Sequence, residues 1–94
     1  MEVDTSYTHA PRLIHRELPA YPESLRLSHV EGTVVLRVLV YKDGRVRDLQ
    51  VLEGTSELRG LAVDAVKKWV FEPYSSDGRS PEPVWIRITV AFPP

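Results

Sequence analysis

Few residues in this chain have the types or spacing for chemistry: three histidines, His9, His15 and His29, scattered serines and carboxylates, and no cysteine. Metal binding needs imidazoles or carboxylates that converge, as in His-x-x-x-His or Glu-x-x-His, and none of the three histidines has such a neighbour. Nucleophilic chemistry would put a serine on a Gly-x-Ser-x-Gly elbow, and phosphate binding would use a glycine-rich loop opening a helix. The five glycines form neither. Asp64, Lys67 and Lys68 share a helix face whose alternating charge suits solvent. The residues therefore point away from an enzyme and from any metal or cofactor, and disulfides are excluded outright.

Composition bounds the rest. At 94 residues, 43% hydrophobic and 27% charged, the chain has the size of one domain with a single modest core. Its 12 basic and 13 acidic side chains give a formal net charge of -1 with no long single-sign block, which argues against nucleic acid as a partner. No apolar run approaches the ~20 residues of a membrane span, and the N-terminus lacks the basic-then-apolar order of a signal peptide. If the protein is exported, its targeting segment is expected upstream of this sequence.

The elements that must position any binding residues follow from periodicity. Residues 1–18 carry little periodic pattern and read as an irregular or extended lead-in, the first ten without fixed structure, ahead of a domain spanning 19–94. In Leu18-Pro19-Ala20-Tyr21-Pro22 the two prolines hold their own φ and push Leu18 and Tyr21 into extended geometry. Pro22 suits a first helical position, so a short helix is expected from Pro22 to about Ser28, anchored by Leu25 and Val30. After Gly32, Thr33 to Tyr41 reads as a strand with Val34, Leu36, Val38 and Val40 inward, leaving a largely apolar outer face of Val35, Arg37, Leu39 and Tyr41. Asp43-Gly44 predicts a tight type I′ hairpin. In the return strand, Val46 to Leu52, Val46 cannot share a face with Leu49 and Val51 unless an extra residue is accommodated, so a β-bulge is expected near Arg47-Asp48.

Thr55-Ser56 offers an N-cap. Leu58, Leu61, Ala62, Ala65, Val66, Trp69 and Val70 then recur at helical spacing, and Pro73 stops the run, which places the helix end near Phe71. A loop from Ser75 to Pro83 leads into Val84 to Phe92, where Val84, Ile86, Ile88, Val90 and Phe92 alternate with Trp85, Arg87, Thr89 and Ala91. The fold expected is α+β with topology αββαβ: a three-stranded antiparallel sheet in the order 2-1-3, both helices on one face. That order leaves the third strand as a nine-residue unpaired edge, which a protein must either protect or use.

Tyr21-Pro22, Gly32, Asp43-Gly44, then Trp69, Phe71 and Pro73 stand in the order found in the C-terminal domain of the TonB energy-transducer family, which this chain resembles over roughly Pro11 to Phe92. The resemblance implies a periplasmic domain, tethered to the inner membrane in the full-length protein. It would bind the TonB box of outer-membrane receptors and couple the proton-motive force, through ExbB and ExbD partners of the missing anchor, to uptake of siderophores or vitamins. It also implies that the receptor peptide adds as a strand beside the third strand. The residues it singles out are Val84, Trp85, Ile86, Arg87, Ile88, Thr89, Val90, Ala91 and Phe92, with Pro19, Ala20, Tyr21 and Pro22 nearby. Leu18 and Ala20 stand where familiar members carry glutamine.

Several readings stay open at this level. Tyr21-Pro22 either contacts a partner or only starts a helix and packs the lead-in. Trp69 and Phe71 read as core. Trp85 either completes an outer-face patch with Val35, Leu39 and Tyr41 that suits a homodimer or partner, or merely packs across the strands. A second non-enzymatic class is a TonB-like docking or oligomerisation module of another envelope protein.

Overall fold

The computed structural model describes residues 3–5 and 11–92. In chain order the elements are β1 (Val3–Thr5), β2 (Leu13–His15), α1 (Glu23–Leu27), β3 (Gly32–Val40), β4 (Val46–Glu53), α2 (Ser56–Val66), β5 (Val70–Phe71) and β6 (Val84–Phe92). The three long strands lie in the antiparallel order β4-β3-β6, which is the expected 2-1-3 arrangement of an α+β domain. A fourth strand, β1, extends this sheet beyond β6, and β2 with β5 forms a separate two-stranded sheet.

Alternation decides which face is buried. Val34, Leu36, Val38 and Val40 of β3 and Ile86, Ile88 and Val90 of β6 are fully buried, and they meet Leu58, Ala62 and Val66 of α2 in one cluster. Burying a side chain of this size stabilises by about 1.5–3 kcal/mol relative to exposure. The ion pairs among the described residues join side chains that are each more than 40% exposed, where a pair contributes roughly 0–1 kcal/mol. The valine and isoleucine face, rather than charge, holds the sheet to the helix.

Helix α1 begins one residue later than the proline pattern suggests. Pro22 is its cap, extended at ψ 143°, and its carbonyl accepts the N–H groups of Leu25 and Arg26, both at 3.1 Å. The helix closes through His29, at φ 56°: His29 N–H bonds to the Arg26 carbonyl at 3.1 Å and Val30 N–H to the Leu25 carbonyl at 2.9 Å, a Schellman pair. That closure brings Val30 and Leu25 together against the core, as their apolar character requires.

The hairpin holds the expected bulge but not the expected turn. Leu39 stands opposite Asp48 and Val40 opposite Val46, so Arg47 is the extra residue, and Val46, Leu49 and Val51 all reach the core. A second shift lies between Val35–Glu53 and Leu36–Val51, which leaves Leu52 without an opposite residue and 49% exposed. The connection is a three-residue loop in which Tyr41 N–H bonds to Arg45 O and Gly44 N–H to Tyr41 O, both at 2.9 Å. Only Gly44 has positive φ (83°) there, whereas a type I′ turn needs it at Asp43 too. Asp43 instead spends its carboxylate on the Arg45 N–H (3.0 Å) and the Arg47 guanidinium (3.0 Å). These bonds hold its pKa below the ordinary 3.8, the Arg45 N–H contributing most.

Two further expectations are corrected. Helix α2 ends at Val66, short of Phe71: bonds from Lys68 N–H to Ala65 O and from Trp69 N–H to Val66 O tighten its last turn, and Val70–Phe71 leaves as β5. Apolar spacing ran through Trp69 and Val70 because the first is buried and the second half-buried, but the Phe71 backbone is committed to Gly44, Arg45 to Val70, and β5 to β2. The lead-in, in turn, contributes two short strands. Val3–Thr5 pairs with β6 and Leu13–His15 with β5; the remainder of the first ten residues, read from sequence as lacking fixed structure, lies outside the described residues.

Candidate partner-binding edge

The sheet has two long strands flanking β3, and their geometry differs. β6 runs in unbroken register with β3 over nine pairs, from Gly32–Phe92 to Val40–Val84. β4 carries two register shifts, and around the first of them Arg47 and Asp48 are exposed. A bulged, charged strand twists its hydrogen-bonding edge away from regular pairing, whereas a straight one offers evenly spaced N–H and C=O groups. β6 is therefore the edge suited to accept another strand.

That edge is not free along its whole length, which corrects the expectation of an unpaired nine-residue strand. β1 lies antiparallel on it, with Val3 opposite Val90, Asp4 opposite Thr89 and Thr5 opposite Ile88. Among the described residues nothing pairs with the outer side of Val84, Trp85, Ile86 and Arg87. Sequence reasoning missed β1 because three residues give no measurable alternation and their partner is more than eighty positions away.

Side chains beside the edge alternate as β6 requires. Ile86, Ile88, Val90 and Phe92 point into the core, while Trp85, Arg87, Thr89 and Ala91 occupy the opposite face with partial or full exposure. The Arg37 guanidinium lies 4.3 Å from the centre of the Trp85 ring, and Arg47 sits 5.4 Å from the Tyr41 ring. Each outer-face aromatic is thus covered by a cation from a neighbouring position, and Val35 is only 6% exposed. The apolar outer patch is accordingly smaller than alternation alone suggests. Arg87 approaches Glu53 at 4.0 Å across the face, a loose, exposed pair.

The Tyr-Pro segment is brought to β6 only in part. The Tyr21 ring packs 5.7 Å from that of Phe92, and its hydroxyl donates to the Val30 carbonyl, so Tyr21 ties the lead-in to the last residue of β6 and to the closure of α1. Pro22 is exposed at the start of α1. Pro19 and Ala20 face elsewhere: with Glu17 and Leu18 they line a cleft against Leu61, Asp64, Ala65 and Lys68.

Trp69, Phe71 and Glu72 form a hub behind the edge. Trp69 is 1% exposed and its Nε1–H donates to the Glu17 carbonyl at 2.9 Å; Phe71 is fully buried. Glu72 N–H bonds to the Arg12 carbonyl at 2.8 Å and its carboxylate meets the Arg12 guanidinium at 2.7 Å. This cluster joins hairpin, helix and lead-in, which is scaffolding work. Among the described residues no group of histidines and carboxylates is arranged to hold a metal ion, and the His15 ring nitrogen lies 3.1 Å from the Glu17 carboxylate.

Comparison with known proteins agrees with this architecture. Residues 17–94 match the family described as Gram-negative bacterial TonB protein C-terminal. The chain is 36% identical over 81 residues to Protein tonB2 of Pseudomonas aeruginosa, covering 84% of this chain and 30% of that protein. It is 31% identical over 71 residues to Protein TonB of Escherichia coli (strain K12), covering 73% of this chain and 30% of that one. The chain thus spans about 30% of the length of these relatives. Among solved structures, the solution NMR structure of the Pseudomonas aeruginosa TonB CTD matches with a TM-score of 0.61 and 28% identity, over 93% of this chain and 86% of that one. The chain belongs to the TonB C-terminal domain family.

Proposed function

We propose that this domain is the partner-binding end of a TonB-like energy transducer and that it captures the TonB box of outer-membrane receptors by strand addition to β6. The observation that carries this reading is the contrast between the two outer strands: β6 keeps nine pairs in register with β3, whereas β4 is interrupted twice. Main-chain pairing along a straight edge gives attachment that tolerates different peptide sequences, and the alternate side chains beside it, here Trp85 and Arg87, add limited selectivity. One domain can then serve several receptors.

In the full-length protein the domain would stand in the periplasm, tethered to the inner membrane and driven through ExbB and ExbD, so that force delivered along the chain reaches the receptor through the paired strand. Siderophore or vitamin uptake is the transport such coupling would energise. The buried hub of Trp69 and Phe71 supports this role, because a strand under load must be continuous with a rigid core.

The test is a titration of the isotope-labelled chain with a synthetic TonB-box peptide. Amide shifts concentrated in Val84 to Phe92 are expected, together with loss of binding when alternate peptide nitrogens of one register are methylated. Shifts confined to the helices, or binding indifferent to methylation in both registers, would remove strand addition as the mode.

A further inference from the structure

Strand β1 sits where the proposed function puts the receptor peptide. It pairs with Ile88, Thr89 and Val90, and it lies outside residues 17–94, the segment that matches the family. A sheet edge accepts one strand at a time, so β1 and an incoming peptide exclude each other over these three positions whichever direction the peptide runs. Among the described residues β1 meets β6 at three positions, against nine between β6 and β3, and a pairing of few main-chain bonds is the first to open. Nothing among the described residues pairs with the outer side of Val84 to Arg87.

We propose that Val3–Thr5 is a displaceable placeholder strand: it closes the Ile88–Val90 half of the receptor edge at rest, and a peptide that first pairs along Val84–Arg87 strips it off. This rests on the reading of β6 as the receptor edge. The device answers the hazard of a long, straight strand edge, which otherwise invites pairing between copies of the chain. It also weakens the apparent affinity for the peptide by the fraction of molecules in which the edge is open. Exchange of one strand for another along a shared edge lets a receptor with more pairing positions than β1 win, while a shorter chance match does not.

Two variants of the intact chain test it, with a synthetic TonB-box peptide as the probe. Asp4→Pro with Thr5→Pro removes two of the three N–H groups of β1, one of which must face β6 whichever way the strand alternates, and peptide affinity is expected to rise about three- to tenfold, as for an edge that was closed roughly 70–90% of the time. Asp4→Cys with Thr89→Cys joins two residues that face each other in the register, in a chain with no other cysteine. Oxidised, it should bind the peptide at least about tenfold more weakly than the same protein reduced. Unchanged affinity in the double-proline chain overturns the placeholder, even where the disulfide blocks binding, and leaves the function of β6 standing. Binding by none of the forms, the double-proline chain included, overturns strand capture itself and the placeholder with it.

Discussion

The Gly44 carbonyl accepts the Phe71 N–H at 2.7 Å, and the two backbones are so close that a β-carbon on Gly44 would stand 1.9 Å from the Phe71 carbonyl oxygen. Two sequence signatures separated by the whole of α2 are thus one structural joint. The Asp-Gly turn needs its glycine for φ 83° and for this approach, and Phe71 needs the turn to hold its backbone out of the helix.

Gly44→Ala is expected to cost about 2–4 kcal/mol of stability, because it adds left-handed strain to a backbone clash. Gly44→Asn separates the two causes. Asparagine tolerates positive φ but carries the same β-carbon, so it should cost nearly as much as alanine. Urea denaturation of both variants measures this; a nearly neutral asparagine would show that the contact with Phe71 relaxes easily.

Trp69 joins α2 to the lead-in through its indole N–H. Trp69→Phe should lower stability by roughly 1–3 kcal/mol, from the lost bond to Glu17 and the volume removed. It should also speed amide exchange at Glu72, whose N–H is bonded to Arg12. Exchange at Glu72 that stays as slow as in the parent would mean that the lead-in is held independently of the tryptophan.

Two exposed carboxylates, Asp43 and Asp77, are expected to contribute to the acid limb of stability. Asp43 is held below the ordinary 3.8 by the Arg45 N–H and then by Arg47, and Asp77 by the Arg79 N–H, the Ser75 hydroxyl and the Ser80 N–H. A carboxylate whose pKa is depressed on folding contributes stability that is fully present above its unfolded value and is lost as pH falls through its folded value. These two contributions should therefore be constant from neutral pH to about 5 and then decline as the pH falls through 3.8 and below. Asp43→Asn and Asp77→Asn should each flatten that decline in pH-dependent thermal melts; a decline unaltered in both variants would contradict the assignment.

The bulge at Arg47 is the protection of the second edge. Deleting Arg47 places Val46 and Asp48 in regular pairing opposite Val40 and Leu39, and a straighter β4 should associate with itself more than the parent does. Sedimentation velocity over a range of concentrations reads this. Equal behaviour of the two chains would show that the bulge has no protective part.

What could be read from the residues alone differs by element, and the reasons are physical. β6 was legible from end to end because nine residues alternate without interruption, and the bulge because Val46 falls out of phase with Leu49 and Val51. The end of α2 was not, since Trp69 is buried and Val70 half-buried for tertiary reasons, and such burial imitates helical spacing. The turn type turned on Asp43, whose carboxylate captures the Arg45 N–H, a choice that Asp-Gly pairing statistics do not contain. The pairing of β1 with β6 joins the two ends of the chain and has no local signature at all.

The most direct test of strand capture is a set of cross-strand nuclear Overhauser contacts between a labelled TonB-box peptide and the chain. The account predicts regularly spaced backbone contacts from the peptide to β6, beginning within Val84–Arg87 and continuing to Ile88–Val90. Contacts to Val46–Glu53 instead, or to α1 and α2 without any to β6, would contradict it.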